Sequence, residues 1–495
     1  MLIRIFLALI FSFNDLAGFA QVSADSLFER TLLLNDLDSL REVIIMSHPD
    51  PSAFCGIELF DAIFLQEKSG VDTLTSVRDF TATIARCLNT MRDSHTTVDY
   101  GQLQNMQLAD SGRYVPLSLK SINRNCADNE FDILVSGHWT AGIPKGSRLL
   151  SINGVSASDI YTHALEYACV EGSSEDARKS IATALIPVIS GLRSPYTDHN
   201  VFQYAAFGSG IISESIVPGY QRKEFDKLCK EKERKEPSWI PKLKLESEYS
   251  LATIKIGTFA PHKGNVYARK IKRYIRQVNN AGIENLVIDI RGNGGGSSSW
   301  VEYLYSFIDE KGYNTPSNVI GKNSELALKR NRVFHKGFVQ FIVGIFYKNN
   351  EDVQSYRYFS SLPLGGQDTV YFKDAKLQKS SRVYKGNCYL LINGLSASAS
   401  VDFTNAFKTR NRGIVVGEQC LGPTTGTWGN PAHYTLPNTK LKVSIATIRY
   451  NYDNTFHYEK QAIEPDYRVE FIAPDLANEI DTQLEFIKKL IKTKK

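Results

Sequence analysis

Two short apolar runs restrict this chain more than any other feature. "NLVIDI" (285–290) and "CYLLING" (388–394) are too short for helices and too evenly apolar for strands with one wet face. They read as strands buried on both sides, as in parallel sheets. Each ends in small residues, "RGNGGGSSSW" (291–300) and "LSASAS" (395–400). Ahead of the first lies "GNVYARKIKRYIRQVNNAG", with Val266, Ile271, Tyr274 and Ile275 on one side of a helix. A second helix is expected from about Ala399. "YSLATIKIGTF", "GIVVGE" and "LKVSIATIRY" supply further strands. Strand–helix–strand alternation predicts an α/β core over residues 245–480, with a C-terminal helix or tail at 481–495.

The rest of the 495 residues implies a multidomain chain. Residues 1–20 read as a cleavable signal peptide: Arg4, an apolar stretch Ile5 to Phe13, then small residues up to Ala20. A buried first helix is the alternative. Residues 21–105 are expected to be helical. Phe80, Ile84, Cys87, Leu88 and Met91 fall on one helix face that stops near Arg92. "DSHTTVDY" follows as a turn into a strand. Residues 106–175 turn to β pattern in "VPLSLKSI", "FDILVSG" and "SRLLSING". Residues 176–244 are expected to form a helical and charged linker. The stretch 310–386 is aromatic-rich and weakly periodic, and is expected as an insertion shaping a substrate cleft.

Composition excludes some functions. A net charge of +5 is mild for this length and makes no case for nucleic acid. No stretch after the first approaches the roughly 18 uninterrupted apolar residues of a membrane span. Seven scattered cysteines contain no CxxC pair, so neither a disulfide framework nor a zinc site is expected. One disulfide at most is expected. No metal and no cofactor are called for, and nothing in the sequence sets the oligomeric state.

Chemistry concentrates where the two apolar strands end. A serine between a strand and a helix can attack a carbonyl, and the helix's first N–H groups can hold an oxyanion. Ser396, Ser398 and Ser400 all occupy that turn, and helix capping is the plain alternative for each. The triple glycine after the first strand allows close backbone approach and N–H groups converging on one anion. A phosphate loop is excluded, because neither Gly-Lys-Ser/Thr nor GxGxxG spacing occurs.

Together "DIRGNGGG" and "NGLSASAS…GIVVGE" resemble the S41 serine peptidases, the tail-specific and tricorn-core family. The resemblance covers about 245–470 and implies a ClpP/crotonase-like core. "GIPKGSRLLSINGVSASDI" similarly resembles the second half of a PDZ domain, without that family's Gly-Leu-Gly-Phe loop. By the family pattern Ser398 is the nucleophile, with Gly295 or Gly294 and Ala399 as oxyanion donors. The tail-specific branch activates its serine with a downstream lysine. Here "VVGEQCLGPTTG" puts Pro423 at that place, 25 residues after Ser398, and no lysine lies between Lys408 and Lys440. The tricorn branch uses a Ser-His pair and a glutamate instead. Ser94-His95 in "RDSHTTV" and Glu459 in "YEKQAIEPDYRVE" match that pattern, with Ala462 where glycine is usual. His95, with an ordinary pKa of about 6.5, would be the base, and Ser94 and Glu459 would orient it. His457 is a weaker candidate base, and His48, before Pro49, reads as a turn. Asp289 and Asp466 are expected to be structural. The expected function is an exported, periplasmic or secreted serine endopeptidase acting on peptides or proteins. The alternative is a catalytically inactive S41 fold that binds peptides or other ligands.

Overall fold

The computed structural model describes residues 23–103, 113–125, 128–137, 142–235, 237–310, 317–330, 351–372, 382–452 and 461–493. The signal-peptide expectation, His457 and Glu459 therefore lie outside the described residues.

One sheet carries the α/β core. Its strands run in the order Lys242–Glu246, Leu251–Lys255, Asn285–Asp289, Asn387–Ile392, Ile414–Gly417, Tyr467–Arg468. The first pair is antiparallel and the rest are parallel. Every residue of Asn285–Asp289 is buried, as the unbroken apolar run predicts. Alternate residues serve opposite faces. Leu286, Ile288, Leu390 and Ile392 pack with Ile271 and Ile275 of helix Gly264–Asn280 and with Val401 and Phe403 of helix Ala399–Thr409. Val287, Tyr389, Leu391 and Val416 pack under Leu484, Ile487 and Ile491 of helix Thr482–Thr493. Each fully buried aliphatic side chain is worth about 1.5–3 kcal/mol, so this three-layer packing fixes the sheet's plane and strand ends.

A second sheet has the order Ser118–Asn125, Asp128–Gly137, Arg148–Ile152, His199–Ala205, Ile212–Pro218. Asn153 and Gly154 both have positive φ in the tight hairpin that joins Ile152 to Val155, as Asn-Gly predicts. Segment 176–244 is more than the expected linker. Helix Glu175–Arg193 is buried along most of its length, and two strands complete this sheet. The charged stretch 222–248 dominated the reading of this segment, although the apolar residues 181–192 lie before it. Helix Arg222–Lys235 is itself docked, through Phe225 and Cys229 against Tyr114.

Segment 310–386 also departs from the expected insertion. Its strands Asn318–Lys322 and Gln367–Tyr371 join Ile448–Asn451 and Gly426–Gly429 in a four-stranded sheet. Residues 331–350 lie outside the described residues.

The N-terminal helices are Arg30–Ser47, Ile57–Ser69 and Val77–Asn89. The last starts at Ser76, whose hydroxyl caps Asp79 N–H, and buries Phe80, Ile84, Cys87 and Leu88. It leads into strand Thr97–Val98, which pairs antiparallel with Lys442–Ile445. Six cysteines are free thiols; Cys126 lies outside the described residues. Among the described residues no helix is long and apolar enough to cross a membrane.

Arg291, just after the interior strand Asn285–Asp289, pins the sheet to the last helix. Its guanidinium pairs with Asp289 at 2.9 Å and with Asp481, just before the last helix, at 2.6 Å. Burial opposes the charge on Asp289, but Arg291 and Lys255 hold its carboxyl well below the usual range. Removing one partner strands a buried charge, so Arg291→Met should lower stability by about 3 kcal/mol in denaturant unfolding. A depressed carboxyl stabilises above its unfolded pKa and loses that contribution as pH falls through the folded value. The wild-type advantage should accordingly shrink in acid; an equal difference between the two proteins at pH 7 and at pH 2 would refute this account.

Candidate active site

The three serines of the turn have different occupations. Ser396 Oγ donates to Ile290 O at 3.0 Å and accepts from Asn393 N–H at 3.1 Å. Ser400 Oγ donates to Asn293 O at 2.8 Å. Both are buried and lace this turn to the loop after the neighbouring strand. Ser398 stands between them at the N-cap position of helix Ala399–Thr409, yet its side chain makes no cap bond. Its backbone has φ 52° and ψ −121°, a left-side conformation that costs a non-glycine residue on the order of 1–3 kcal/mol. Among the described residues its hydroxyl has no hydrogen-bond partner. The sequence thus yields two lacing serines and one strained serine with a free hydroxyl.

The glycine loop presses on this serine. Gly295 has φ +104°; a Cβ there would sit 2.7 Å from Ser398 Cβ, 2.8 Å from Ala397 O and 3.0 Å from Ala399 N. Gly295 N–H donates to Asn293 Oδ1 at 3.0 Å, so it is committed within the loop. The N–H groups of Gly294 and Ala399 have no acceptor among the described residues.

His95 arrives from the opposite end of the chain. Helix Val77–Asn89 ends, and the loop Asp93-Ser94-His95 is held by its strand Thr97–Val98 and by Ala446 N–H donating to Thr96 Oγ1 at 3.0 Å. His95 N–H donates to Asp93 Oδ1 at 2.7 Å. The ring's Nδ1 lies 3.5 Å from Ser94 Oγ, 3.5 Å from Glu171 Oε1 and 3.7 Å from Asp93 Oδ1. Nε2 has no partner among the described residues. Burial alone would lower the His95 pKa, but the Asp93 and Glu171 carboxylates outweigh it and raise it to about 10. Asp93 is in turn held below the usual carboxyl range by His48 and His95, against its own burial. His48 Nδ1 accepts from Asp50 N–H at 3.1 Å, so its Nε2 carries the proton that faces Asp93 Oδ2 at 3.2 Å.

Glu171 belongs to the loop before helix Glu175–Arg193. It accepts from Thr427 Oγ1 at 2.8 Å and from Trp428 N–H at 2.6 Å, both on core strand Gly426–Gly429. Gly422 joins the two halves of the site. A Cβ on it would lie 3.2 Å from Glu171 Oε2 and 3.0 Å from Val401 Cγ2, in the first turn after Ser398. Leu421 N–H donates to Ser396 O at 2.9 Å.

Pro423 occupies the place of the tail-specific lysine and bridges to Ala462. Asp466 accepts from Val415 N–H, and Asp289 pairs with Arg291 and Lys255, the structural roles expected of them. Three residues escaped sequence reasoning. Asp93 adjoins the Ser-His pair and was readable by proximity; His48 and Glu171 carry no sequence signal. Asp93, His95 and Glu171 bring ligand atoms within 4.8 Å of one another, a spacing that could also hold a metal ion. All four of their carboxylate oxygens already accept hydrogen bonds, which suits a proton better than a cation.

Residues 250–469 match the family model described as Peptidase family S41. Residues 250–469 thus form a family S41 peptidase domain. No curated protein matches it. Its solved likenesses include mature CPAF in complex with lactacystin, at 15% identity over 94% of this chain and 98% of that one, TM-score 0.59. Mature CPAF alone gives 16% identity over 94% and 97%, TM-score 0.58. The photosystem II D1 C-terminal processing protease gives 13% identity over 93% and 96%, TM-score 0.41. At these identities the CPAF likeness is one of fold: a mixed α/β multidomain architecture.

In this peptidase Gly295 cannot accept a side chain without moving Ser398. Gly295→Ala should cut activity by at least about 10²-fold, the usual cost of disturbing an oxyanion donor, while KM changes less than kcat. An alanine variant with wild-type kcat would show that the loop does not hold the serine in place.

Proposed function

We propose that this peptidase is an exported serine endopeptidase in which Ser398 is the nucleophile and His95 the general base. The observation that carries this reading is the uncommitted hydroxyl of a backbone-strained Ser398 between two serines spent on structure. Nδ1 of His95 faces carboxylates, so Nδ1 holds a proton and Nε2 offers its lone pair to the serine. The Ser–His contact of such sites tightens with substrate bound. Export rests on residues 1–20 of the sequence alone.

The reaction runs in two halves. Ser398 Oγ bonds to the peptide carbonyl carbon as its proton passes to His95 Nε2. The carbonyl electron pair moves to oxygen, which accepts from Ala399 N–H and, on the glycine side, Gly294 N–H. Gly295, whose own N–H is engaged, sets the loop against the serine. Collapse breaks the C–N bond, and His95 returns the proton to the leaving amine. Water then attacks the acyl carbon as its proton passes to His95; the ester C–O bond breaks, the new carboxylic acid leaves, and His95 returns the proton to Ser398 Oγ. Ser94 and Glu459 carry over from the family pattern as groups that steady the imidazole.

Substrate entry is proposed along the second sheet, read as a PDZ-like domain. Strand Ser118–Asn125 is that sheet's edge, and a cleft runs between it and helix Glu175–Arg193. The cleft is lined by Lys120, Lys179 and Phe471, and it reaches Leu395, three residues before the nucleophile. An extended peptide there would add to the edge by backbone hydrogen bonds. The core is read as ClpP/crotonase-like.

A fluorescent fluorophosphonate tests the assignment. Ser398→Ala should abolish labelling and leave the fold intact by circular dichroism; labelling that survives removes Ser398 from its role. The base must be neutral to act, and its pKa is raised, so the labelling rate of the wild type should climb with pH above the ordinary histidine range of about 6.5. A plateau already reached by pH 6 would contradict the environment described for His95.

A further inference from the structure

We propose that Glu171 is a positioning residue for His95: it holds the imidazole with its Nδ1 proton inward and couples that orientation to strand Gly426–Gly429. This rests on the reading of His95 as the base. The family pattern assigns orientation to Ser94 and Glu459, and nothing in it points to a residue at 171.

The geometry is specific. Glu171 Oε1 is 3.5 Å from His95 Nδ1, nearer than the 3.7 Å to Asp93 Oδ1. Its carboxylate is buried and fixed by two donors, the single Thr427 hydroxyl, whose Oγ1 lies 3.0 Å from Oε1 and 2.8 Å from Oε2, and Trp428 N–H. Such a carboxylate cannot swing away, so the ring that pairs with it is fixed in turn. Loop closure adds a second hold, because Gly172 N–H donates to Arg92 O at 3.2 Å, next to the Asp93-Ser94-His95 segment. Gly422 then sets Glu171 Oε2 against the same backbone that touches Val401 after Ser398. Three separated segments, 92–95, 171–172 and 422–428, meet on one carboxylate.

Asp93 does not duplicate this role. Its Oδ1 is bonded to His95 N–H, and its Oδ2 faces His48 Nε2. It shapes the loop and adds negative charge, whereas Glu171 faces the ring nitrogen from outside the loop. Among the described residues, the titratable groups around His95 are Asp93, Glu171 and, behind Asp93, His48. The Cys169 and Cys420 thiols nearby are pushed up to about 12 and stay neutral.

Glu171→Gln keeps the shape and removes the charge. The expected result is fluorophosphonate labelling about 10²-fold slower at its optimum, with the binding constant for the probe within about twofold. The acid limb of the rate should move to lower pH, since a lost carboxylate lowers the imidazole pKa. Glu171→Asp, which keeps the charge but draws it back, should restore the position of the limb and only part of the rate. Wild-type rate and an unmoved limb in the folded Gln variant would overturn the proposal, as would a change in probe binding alone. His95→Ala separates the two readings: if it labels like wild type, the base assignment fails; if it is silent while the Gln variant is normal, only the role of Glu171 fails. Should the Gln variant not fold, the His95 Cε1 carbon resonance of the wild type decides, assigned by its loss in His95→Ala. Titration at or below about 6.5 overturns the proposal, and titration above it supports it.

Discussion

Two residues of strand Thr97–Val98 pair with Lys442–Ile445, and the rest of the site depends on that pairing. Without it a histidine at 95 and a serine at 398 belong to separate parts of the chain. The entropy of closing so long a loop grows only logarithmically with its length, so the distance in sequence is cheap compared with the packing that follows. That packing is the helix Val77–Asn89, buried along Phe80, Ile84 and Leu88, which makes the strand's approach rigid rather than hinged. The N-terminal helices therefore act as a lever that delivers the Asp93-Ser94-His95 loop to the core.

Holding Ser398 is a second problem, solved by neighbours rather than by itself. Its φ of 52° is unfavourable for any residue with a Cβ. The strain persists because Ser396 and Ser400 bind carbonyls of the adjacent loop, and because Asn393 Oδ1 takes Gly292 N–H at 2.8 Å. Those bonds cross between two parallel strands whose plane is set by three-layer packing. A strained serine is thus displayed at the end of a sheet too well packed to relax beneath it.

Sequence pattern made much of this legible, and the limits have physical causes. The buried strands Asn285–Asp289 and Asn387–Ile392 and the helix Gly264–Asn280 followed from periodicity, because burial on a sheet face or helix face is what periodicity records. Ser398 and His95 could be singled out because each sits in a local motif of small or paired residues. Pro423 was equally readable, as the absence of a lysine. The strands His199–Ala205 and Ile212–Pro218 were hidden because both are half-exposed and the charged run 222–248 beyond them read as linker. Glu171 was unreadable for a different reason. Its significance comes from Thr427, Trp428 and His95, and no local window contains those partners.

The same unreadable contacts set the electrostatics of the imidazole. Burial disfavours a charged histidine and by itself would lower the imidazole pKa. Two carboxylates, one of them locked by the core and one by its own loop, reverse that balance and favour the imidazolium. On the proposed mechanism, a site arranged this way is poor at resting deprotonation and good at stabilising the cation that forms when a serine gives up its proton. That is the charge distribution of the transition state rather than of the ground state, and binding it selectively is what lowers a barrier. Because both carboxylates are already fixed by hydrogen bonds, little reorganisation is needed when the charge appears, which is the condition under which electrostatic stabilisation is most effective.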